Sequence, residues 1–272
     1  MVVVILRRFW TTYMDITFLV ICAVAFLASA LTFFSGFGLG TLLLPAFAVF
    51  FPVDQAVALT AIVNFLNGLF KVGLVGRHAD RSVVIRFGLP AIVASFAGAG
   101  VLLWLAGLNP LFEYSLFGHR VQVMPVKLVV GVLLLVFSLV EFLPRFHNLS
   151  FSAQYMPVGG IVSGFFGGLS GTQGALRSAF LVRANLTKEA FIGTGVVVSL
   201  MVDISRLGLY LPGILADGPK IHYGLLAAAV LAAFAGAWLG NRYLKKITMQ
   251  GIQSVVAVML FLVAIGLMSG IL

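Results

Sequence analysis

Long apolar runs dominate the pattern of hydrophobic and polar positions along the chain. Residues 16–53 contain no charged side chain, which is close to two membrane crossings by an α-helix. This run is broken in its middle by SGFGLG at 35–40 and later by Pro45. Because glycine and proline disfavour helix interiors, the pattern predicts a helix at about 14–35 and a shorter one at about 39–51.

The remaining chain continues this alternation of apolar segments and short polar connections. Further helices are predicted at about 54–75, 84–107, 123–143, 154–169, 175–184, 188–211, 222–243 and 250–270. Residues 108–122 predict an exposed loop or a small hairpin that turns at Gly118. The second half carries its own glycine-containing interruption, SGTQG at 170–174. The sequence therefore predicts five segments in each half.

Short matches in a common order relate the two halves. SGFGLGTLLLPAF corresponds to SGTQGALRSAFLV, AVALT to AFIGT, and KVGL at Lys71 to RLGL at Arg206, and FAGA occurs in the next helix of each half. This order predicts two transmembrane repeats, 1–143 and 144–272. Because each repeat has an odd number of crossings, the halves should lie inverted, whether the short segments cross the membrane or form re-entrant hairpins.

Composition supports a chain that lies almost wholly in lipid. Of its 272 residues, 61% are hydrophobic and 9% are charged, whereas soluble domains carry roughly 25% charged residues. The predicted fold class is an all-α polytopic membrane protein, with broken or re-entrant short helices at the Gly-rich motifs. The net charge of +9 is typical of basic cytoplasmic loops, not of a nucleic-acid surface. We expect a multi-pass protein of the cell membrane with no nucleic-acid partner.

The two Gly-rich interruptions are the strongest candidates for a binding site. A helix broken within the membrane exposes backbone N–H groups, which are tolerated where they line a polar cavity. A helix N-terminus carries partial positive charge, so an anion is the natural ligand. The predicted substrate-binding residues are Gly36, Gly38, Gly40, Gly171, Thr172, Gln173, Gly174 and Arg177. The alternative is tight helix packing by small residues without a ligand.

Arg177 lies one helical turn after Gly174 in an otherwise apolar stretch. An intramembrane arginine is costly and usually faces a cavity or a partner. Its planar fork suits the oxygens of a carboxylate, a sulfonate or sulfite. The alternative is that its side chain snorkels to the membrane interface.

Other polar residues within predicted helices are candidates for the transport pathway or for coupling. They are Asn64, Asn67, Lys71, Ser199, Asp203 and Arg206. Asp203 precedes Arg206 by three positions, so the two share a helix face. Hydrogen bonds between helices are the alternative role for the amides and Ser199, and mutual neutralisation is the alternative for the charged pair. Coupling to H⁺ or Na⁺ stays open, and Asp203 is the candidate if protons are coupled.

Metal, cofactor and protease functions receive little support. His78, His119, His147 and His222 form no pair with metal-ligand spacing, so we predict no metal site and no cofactor. The sequence GLSG at 168–171 resembles the G-x-S-G motif of rhomboid intramembrane proteases. A serine nucleophile needs a histidine base within reach, and the four histidines fall at loops or segment ends.

The same residues carry a resemblance to a known family. The chain resembles the TauE/SafE family of membrane transporters, also called sulfite exporters, whose two halves each open with a motif of the type G-x-G-G-G followed by a proline. GFGLG at 36–40, with Pro45 after it, matches the first copy except for its leucine. Residues 171–177 occupy the second copy and depart from it at Thr172 and Gln173. The resemblance spans nearly the whole chain and implies transport of small, often sulfur-containing anions.

These features predict a secondary transporter, not an enzyme. The predicted cargo is sulfite or an organosulfonate such as sulfoacetate or sulfolactate, moved by alternating access. The expected partners are this anion and the lipid bilayer, and the oligomeric state stays open, with a homodimer as one option. An anion channel is the main alternative function, and an intramembrane serine protease is a second one.

Overall fold

A computed structural model describes the backbone of residues 2–35, 38–116, 119–142, 151–216, 223–243 and 249–272. Its helices are α1 (Val2–Ser35), α2 (Gly40–Ala48), α3 (Val53–Val75), α4 (Arg81–Val83), α5 (Leu89–Ala106), α6 (Pro125–Phe142), α7 (Met156–Ser170), α8 (Gly174–Leu181), α9 (Lys188–Ala216), α10 (Tyr223–Tyr243) and α11 (Met249–Met268). Strands β1 (Phe112–Leu116) and β2 (His119–Val123) form an antiparallel hairpin. Single 3-10 turns at Gly76–His78 and Ala153–Tyr155 follow α3 and precede α7.

Within the described chain, five helical spans are long and apolar enough to cross a membrane. They are Asp15–Thr32, Val53–His78, Arg81–Ala106, Lys188–Gly213 and Tyr223–Arg242. The helices α6 and α11 contain shorter apolar stretches, Pro125–Val140 and Ala257–Met268. The prediction of an all-α polytopic membrane protein is therefore confirmed.

The short helices α2 and α8 follow the two Gly-rich breaks. They contain nine and eight residues. At 1.5 Å per residue each is about 12–14 Å long, less than half of the roughly 30 Å hydrocarbon core. Neither helix can cross the membrane alone.

Some predicted helix ends differ from the structure. The helix α1 begins at Val2 and not at about 14, because a helix can extend beyond its apolar stretch. The helix α9 continues beyond 211 to Ala216 and includes Pro212. In the segment that contains α4 and α5, a π-helical stretch at Val84–Gly88 joins the two. It ends two residues before Pro90, which lacks an N–H and cannot make the usual helical hydrogen bond.

The hairpin predicted for 108–122 is present. Leu116 pairs with His119, and the predicted turn at Gly118 lies outside the described residues. The Tyr114 hydroxyl donates a hydrogen bond to the backbone carbonyl of Ser269, 2.5 Å away. The hairpin is thereby attached to the end of α11.

Helices from the first part of the chain pair with helices from the second. The helix α1 packs along α10, α5 along α7, α3 against α9, and α6 against α11. In the two predicted repeats, α1 corresponds to α7, α3 to α9, α5 to α10 and α6 to α11. Exchanging the repeats would therefore convert the α1–α10 pair into the α7–α5 pair and leave the α3–α9 and α6–α11 pairs unchanged. An inverted repeat is expected to give this pattern, and the division at 143 stays a prediction.

Glycines let the paired helices approach until backbone meets backbone. On α7, a Cβ atom added at Gly160, Gly164 or Gly168 would lie 2.2 Å from a backbone carbonyl oxygen of the facing segment 87–95. Gly98 of α5 has the same relation to Phe165, at 2.0 Å. In lipid there is no hydrophobic force between helices, so such close packing is a main source of their association.

The two FAGA segments make equivalent contacts in the two equivalent pairs. A Cβ atom at Gly236 of α10 would lie 2.1 Å from the carbonyl oxygen of Phe26 on α1. In the other pair, a Cβ atom at Gly98 of α5 would lie 2.0 Å from the carbonyl oxygen of Phe165 on α7. The sequence match between these segments therefore coincides with a match in packing.

Gly98→Ala and Gly236→Ala should each destabilise the protein, because overpacking a tight contact costs typically 1–3 kcal/mol. Gly100→Ala is the matched control on α5, since nothing lies within 4 Å of its added Cβ and alanine is the better helix former. The measurement is the midpoint of thermal aggregation in detergent. Equal midpoints for the Gly98 and Gly100 variants would contradict the packing.

Candidate anion-binding site

A cavity lies among α3, α8 and α9, beside the break before α2. Including the space at its mouth, it measures about 560 Å³. Its polar side chains belong to Thr32, Asn64, Asn67, Lys71, Arg177, Ser178 and Ser199. Its apolar wall consists of Leu39, Leu181, Phe191, Ile192 and Val196.

Two basic side chains give the cavity its charge. The side chains of Lys71 and Arg177 are almost completely buried, with exposed fractions of 7% and 4%, and they lie close enough to interact electrostatically. No aspartate or glutamate is among the described residues that line the cavity, and the carboxylate of Asp203, outside the lining, is close enough to Arg177 to interact with it electrostatically. Burying two like charges together is unfavourable unless an opposite charge joins them. The cavity is therefore suited to an anion.

Amides and hydroxyls of α1 and α3 surround these charges. The Ser29 hydroxyl donates a hydrogen bond to Oδ1 of Asn67 at 3.2 Å, which leaves the NH₂ group of Asn67 as a donor. The Thr32 hydroxyl donates to the carbonyl of Ala28 at 2.5 Å. These bonds hold two polar side chains of the lining in defined orientations.

The two Gly-rich breaks meet next to the cavity. A Cβ atom on Gly40 would lie 2.6 Å from the carbonyl oxygen of Gly171, and one on Gly38 would lie 4.0 Å from the amide nitrogen of Gly174. Gly171 has a φ of +75°, which favours glycine over other residues. Glycine is therefore needed at position 40 because the two backbones approach closely, and at position 171 because of its backbone conformation.

Asp203 and Arg206 form a buried ion pair on α9. Nε of Arg206 donates to Oδ1 of Asp203 at 2.9 Å, and Nη2 lies 2.7 Å from the same oxygen. The exposed fractions are 0% for Arg206 and 1% for Asp203. A Cβ atom on Gly171 would lie 2.7 Å from Nη1 of Arg206. The pair predicted from the spacing is present, and it packs against the second break.

A comparison with known protein families identifies the family with this architecture. Residues 21–267 match the family described as sulfite exporter TauE/SafE. The chain belongs to this family. No curated protein and no solved structure matches it. As a TauE/SafE member, it is a multi-pass membrane protein of a family that exports sulfite and related sulfur anions.

The structure brings six of the predicted site residues to the cavity of this TauE/SafE protein. They are Gly38, Asn64, Asn67, Lys71, Arg177 and Ser199. Gly36 lies outside the described residues. Arg177 is 4% exposed, so its guanidinium is directed into the protein and does not snorkel to an interface. Sequence reasoning missed Thr32 and Ser178, whose only signal is their closeness in sequence to the first break and to Arg177.

Thr172 and Gln173 border the cavity without lining it. The Thr172 hydroxyl is hydrogen-bonded to that of Ser170 at 2.5 Å, and Ser170 also donates to the carbonyl of Phe166. Nε2 of Gln173 donates to the hydroxyl of Ser199 at 3.3 Å. Gln173 therefore orients a residue that does line the cavity. The Ser170 hydroxyl has hydroxyl and carbonyl partners, not the histidine base that a serine protease needs.

The remaining predicted residues that the structure describes do not line the cavity. Gly40 and Gly171 form the contact between the breaks, Gly174 lies beside Gly38, and Arg206, paired with Asp203, packs against Gly171. Their assignment to substrate binding or to the pathway stays a prediction.

Gly40→Ala and Gly171→Ala should each lower the thermal stability. The first places a methyl group against a carbonyl oxygen, and the second adds the strain of a left-handed residue, about 1–3 kcal/mol. Gly38→Ala is the control, because the atoms nearest to its added Cβ lie 3.9 and 4.0 Å away. Thermal midpoints in detergent test this, and a Gly38 variant as unstable as the other two would argue against the contact.

Proposed function

We propose that this TauE/SafE protein is a secondary transporter that moves sulfite or an organosulfonate across the cell membrane by alternating access. The observation that carries the proposal is the cavity in which Lys71 and Arg177 lie buried, beside the contact between the two helix breaks. The sulfur-anion export of the family supports the class of cargo.

Each polar group of the cavity has a role in holding such an anion. The guanidinium of Arg177 can donate two parallel hydrogen bonds to two oxygens of one sulfonate or sulfite group. The ammonium of Lys71 supplies a second, compact positive charge. The NH₂ group of Asn67 and the hydroxyl of Ser199 add neutral donors. The N-terminus of α2, which follows Gly38, adds a partial positive charge, while the N–H groups of its first turn are bonded to the carbonyls of Gly38 and Leu39.

The apolar wall favours an organosulfonate over sulfite. Leu181, Phe191 and Ile192 offer contacts that only a carbon-containing anion would use. We therefore propose that the sulfonate group contacts the two cations and that its carbon portion lies against this wall.

Alternating access fits the breaks better than a permanent pore does. Short helices that end inside the membrane can change their tilt without disrupting a full transmembrane helix, and inverted repeats supply two equivalent arrangements. Under this proposal Gly36 and the second break, Gly171 to Gly174, complete the site as the protein changes state. A buried acid can carry a coupled proton, and Asp203 is our candidate.

Lys71→Gln and Arg177→Gln should each reduce saturable uptake of labelled sulfoacetate, sulfolactate or sulfite into proteoliposomes. A lost charge-assisted hydrogen bond costs about 1.5–3 kcal/mol, which corresponds to a tenfold or greater loss of affinity. The matched control is Lys127→Gln, which removes a partly buried lysine of α6 that does not line the cavity.

The outcomes separate the candidate functions. Saturable uptake that is lost in both cavity variants and kept in Lys127→Gln supports the transporter. Flux that rises linearly with concentration and carries a steady current would indicate an anion channel. Absence of flux for all three anions, with folded protein, would refute the proposed cargo.

A further inference from the structure

The anion cavity extends from the breaks to one end of the helices around it. Its lining includes Lys71, one helical turn before the end of α3 at Val75, and Leu181, the last residue of α8. Phe191, also in the lining, belongs to the first turn of α9. At 1.5 Å per residue, these positions lie within about 6 Å of the helix ends. The mouth of the cavity is therefore at the end where α3 and α8 finish and α9 begins.

The turn that follows α3 packs directly against the wall of this cavity. The backbone N–H of Asp80 donates a hydrogen bond to the Thr194 hydroxyl at 2.8 Å. A Cβ atom on Gly193 would lie 2.7 Å from the carbonyl oxygen of Val75. Both residues of α9 lie within 191–196, a stretch that contributes four residues to the lining. The turn is thus fixed beside the mouth by contacts of its backbone.

Two segments border the mouth and carry exposed basic side chains. One is the turn after α3 together with α4, residues 76–83, and the other is the connection from α8 into α9, residues 182–190. Their four basic residues, all exposed, are called the mouth cations: Arg77, Arg81, Arg183 and Lys188. An anion that approaches from this end meets these positive charges before it reaches the lining of the cavity.

Negative charge is weaker in the same two segments. The acids there are Asp80 and Glu189. The Asp80 carboxylate accepts a hydrogen bond from the backbone N–H of Val83 at 2.9 Å and caps the start of α4. The two segments therefore carry four basic side chains against two acidic ones, and the surface around the mouth has a net positive charge.

We infer that the mouth cations form an anion-collecting surface, which concentrates a sulfonate in front of the cavity and speeds its entry from this side. This inference rests on the proposed transport of a sulfur anion. Charges of one sign around a cleft raise the local concentration of an oppositely charged ligand, and they raise its association rate by about 10- to 1,000-fold in strong cases. The mouth cations act before binding, whereas Lys71 and Arg177 contact the anion after it has entered.

Basic residues at the ends of membrane helices also orient a protein in the bilayer. That role depends on which side of the membrane the residues occupy during insertion. It does not make the entry of a small reagent into the folded cavity depend on the sign of the reagent's charge. A measurement of the electrostatic potential on the path into the cavity therefore separates anion collection from orientation.

The ratio of two labelling rates at a thiol in the cavity measures this potential. The parent protein for labelling combines Cys22→Ser, which removes the single cysteine, with Val196→Cys, which places a thiol in the lining. Two methanethiosulfonate reagents of similar size are compared, one with an ethylsulfonate group and one with an ethyltrimethylammonium group. In an uncharged detergent, the ratio of the sulfonate rate to the ammonium rate increases with positive potential at the mouth.

The mouth variant Arg77→Gln/Arg81→Gln removes two exposed mouth cations. At low salt we expect it to lower the sulfonate-to-ammonium ratio at position 196 about fivefold, because two unit charges act on the path of the reagent over roughly 10 Å of water. Adding Arg183→Gln and Lys188→Gln should lower the ratio further.

Two cations at the opposite end of the molecule provide the matched control. The segment that contains α4 and α5 spans the membrane, so the hairpin and the start of α6 after it lie at the end away from the mouth. Arg120→Gln/Lys127→Gln removes the same amount of charge there and should leave the ratio at position 196 unchanged. A thiol at Ser115→Cys reports the potential at this end, because Ser115 pairs with Arg120 across the hairpin. At position 115 the control variant should lower the ratio and the mouth variant should not.

Salt tests the same surface without a substitution at the mouth. Raising the salt concentration from about 0.01 M to 1 M shortens the Debye length from about 30 Å to 3 Å. The ratio at position 196 should therefore fall several-fold in the parent protein. It should depend less on salt in the mouth variant, from which two of the screened charges are missing.

Labelling requires no transport, so the two proposals can fail separately. A ratio at position 196 that is the same in the parent and the folded mouth variant, or that falls equally in the control variant, would overturn the collecting surface even if sulfonate uptake is measured. A fall confined to the mouth variant supports the surface. The same fall without uptake of any sulfur anion would retain the surface and refute the proposed cargo.

Discussion

The contact between the two helix breaks, where Gly40 lies against the carbonyl oxygen of Gly171, is the constraint on which the rest of the structure depends. Lipid cannot satisfy the polar backbone groups that a broken helix exposes. Bringing both breaks together removes them from lipid and gives them a common polar surrounding. The same contact directs the starts of α2 and α8 into the protein interior. Arg177, in the first turn of α8, thereby reaches the cavity beside Lys71.

Charge is distributed around this contact in two different ways. Lys71 and Arg177 line a cavity without a described acidic neighbour in its lining. Arg206, which packs against Gly171, is paired within its own helix with Asp203. The Asp203 carboxylate also interacts electrostatically with Arg177, so it lowers the cost of burying cations in both places, and an anion in the cavity would lower it further. The protein is consequently asymmetric at its charges, although the pairing of its helices is close to symmetric.

Hydropathy and glycine spacing were sufficient to predict the helices, the hairpin and both breaks, because these depend on local sequence and on the thickness of the membrane. The Asp203–Arg206 pair followed from its three-residue spacing for the same reason. Which residues line the cavity depends instead on how α3 crosses α9 and on which face of α8 points inward. Neither is determined by local sequence. Thr172 and Gln173 illustrate this: Thr172 is hydrogen-bonded to Ser170, and Gln173 to Ser199, which lines the cavity in place of Gln173 itself. Thr32 was missed because only the packing of α1 reveals that it faces the cavity.

The glycine contacts also limit which parts of the molecule can move during transport. Gly160, Gly164 and Gly168 place α7 in backbone contact with the 87–95 segment over successive turns, and Gly236 and Gly240 do the same for α10 and α1. Sliding within such a pair would drive backbone into backbone, so each pair moves as a unit. The contact between α3 and α9 is of both kinds: the flexible side chain of Leu200 lies against Gly68, whereas a Cβ atom at Gly193 would lie 2.7 Å from the carbonyl oxygen of Val75. Under the proposed alternating access, rearrangement is therefore expected where Leu200 meets Gly68 beside Lys71, and not within the α5–α7 and α1–α10 pairs.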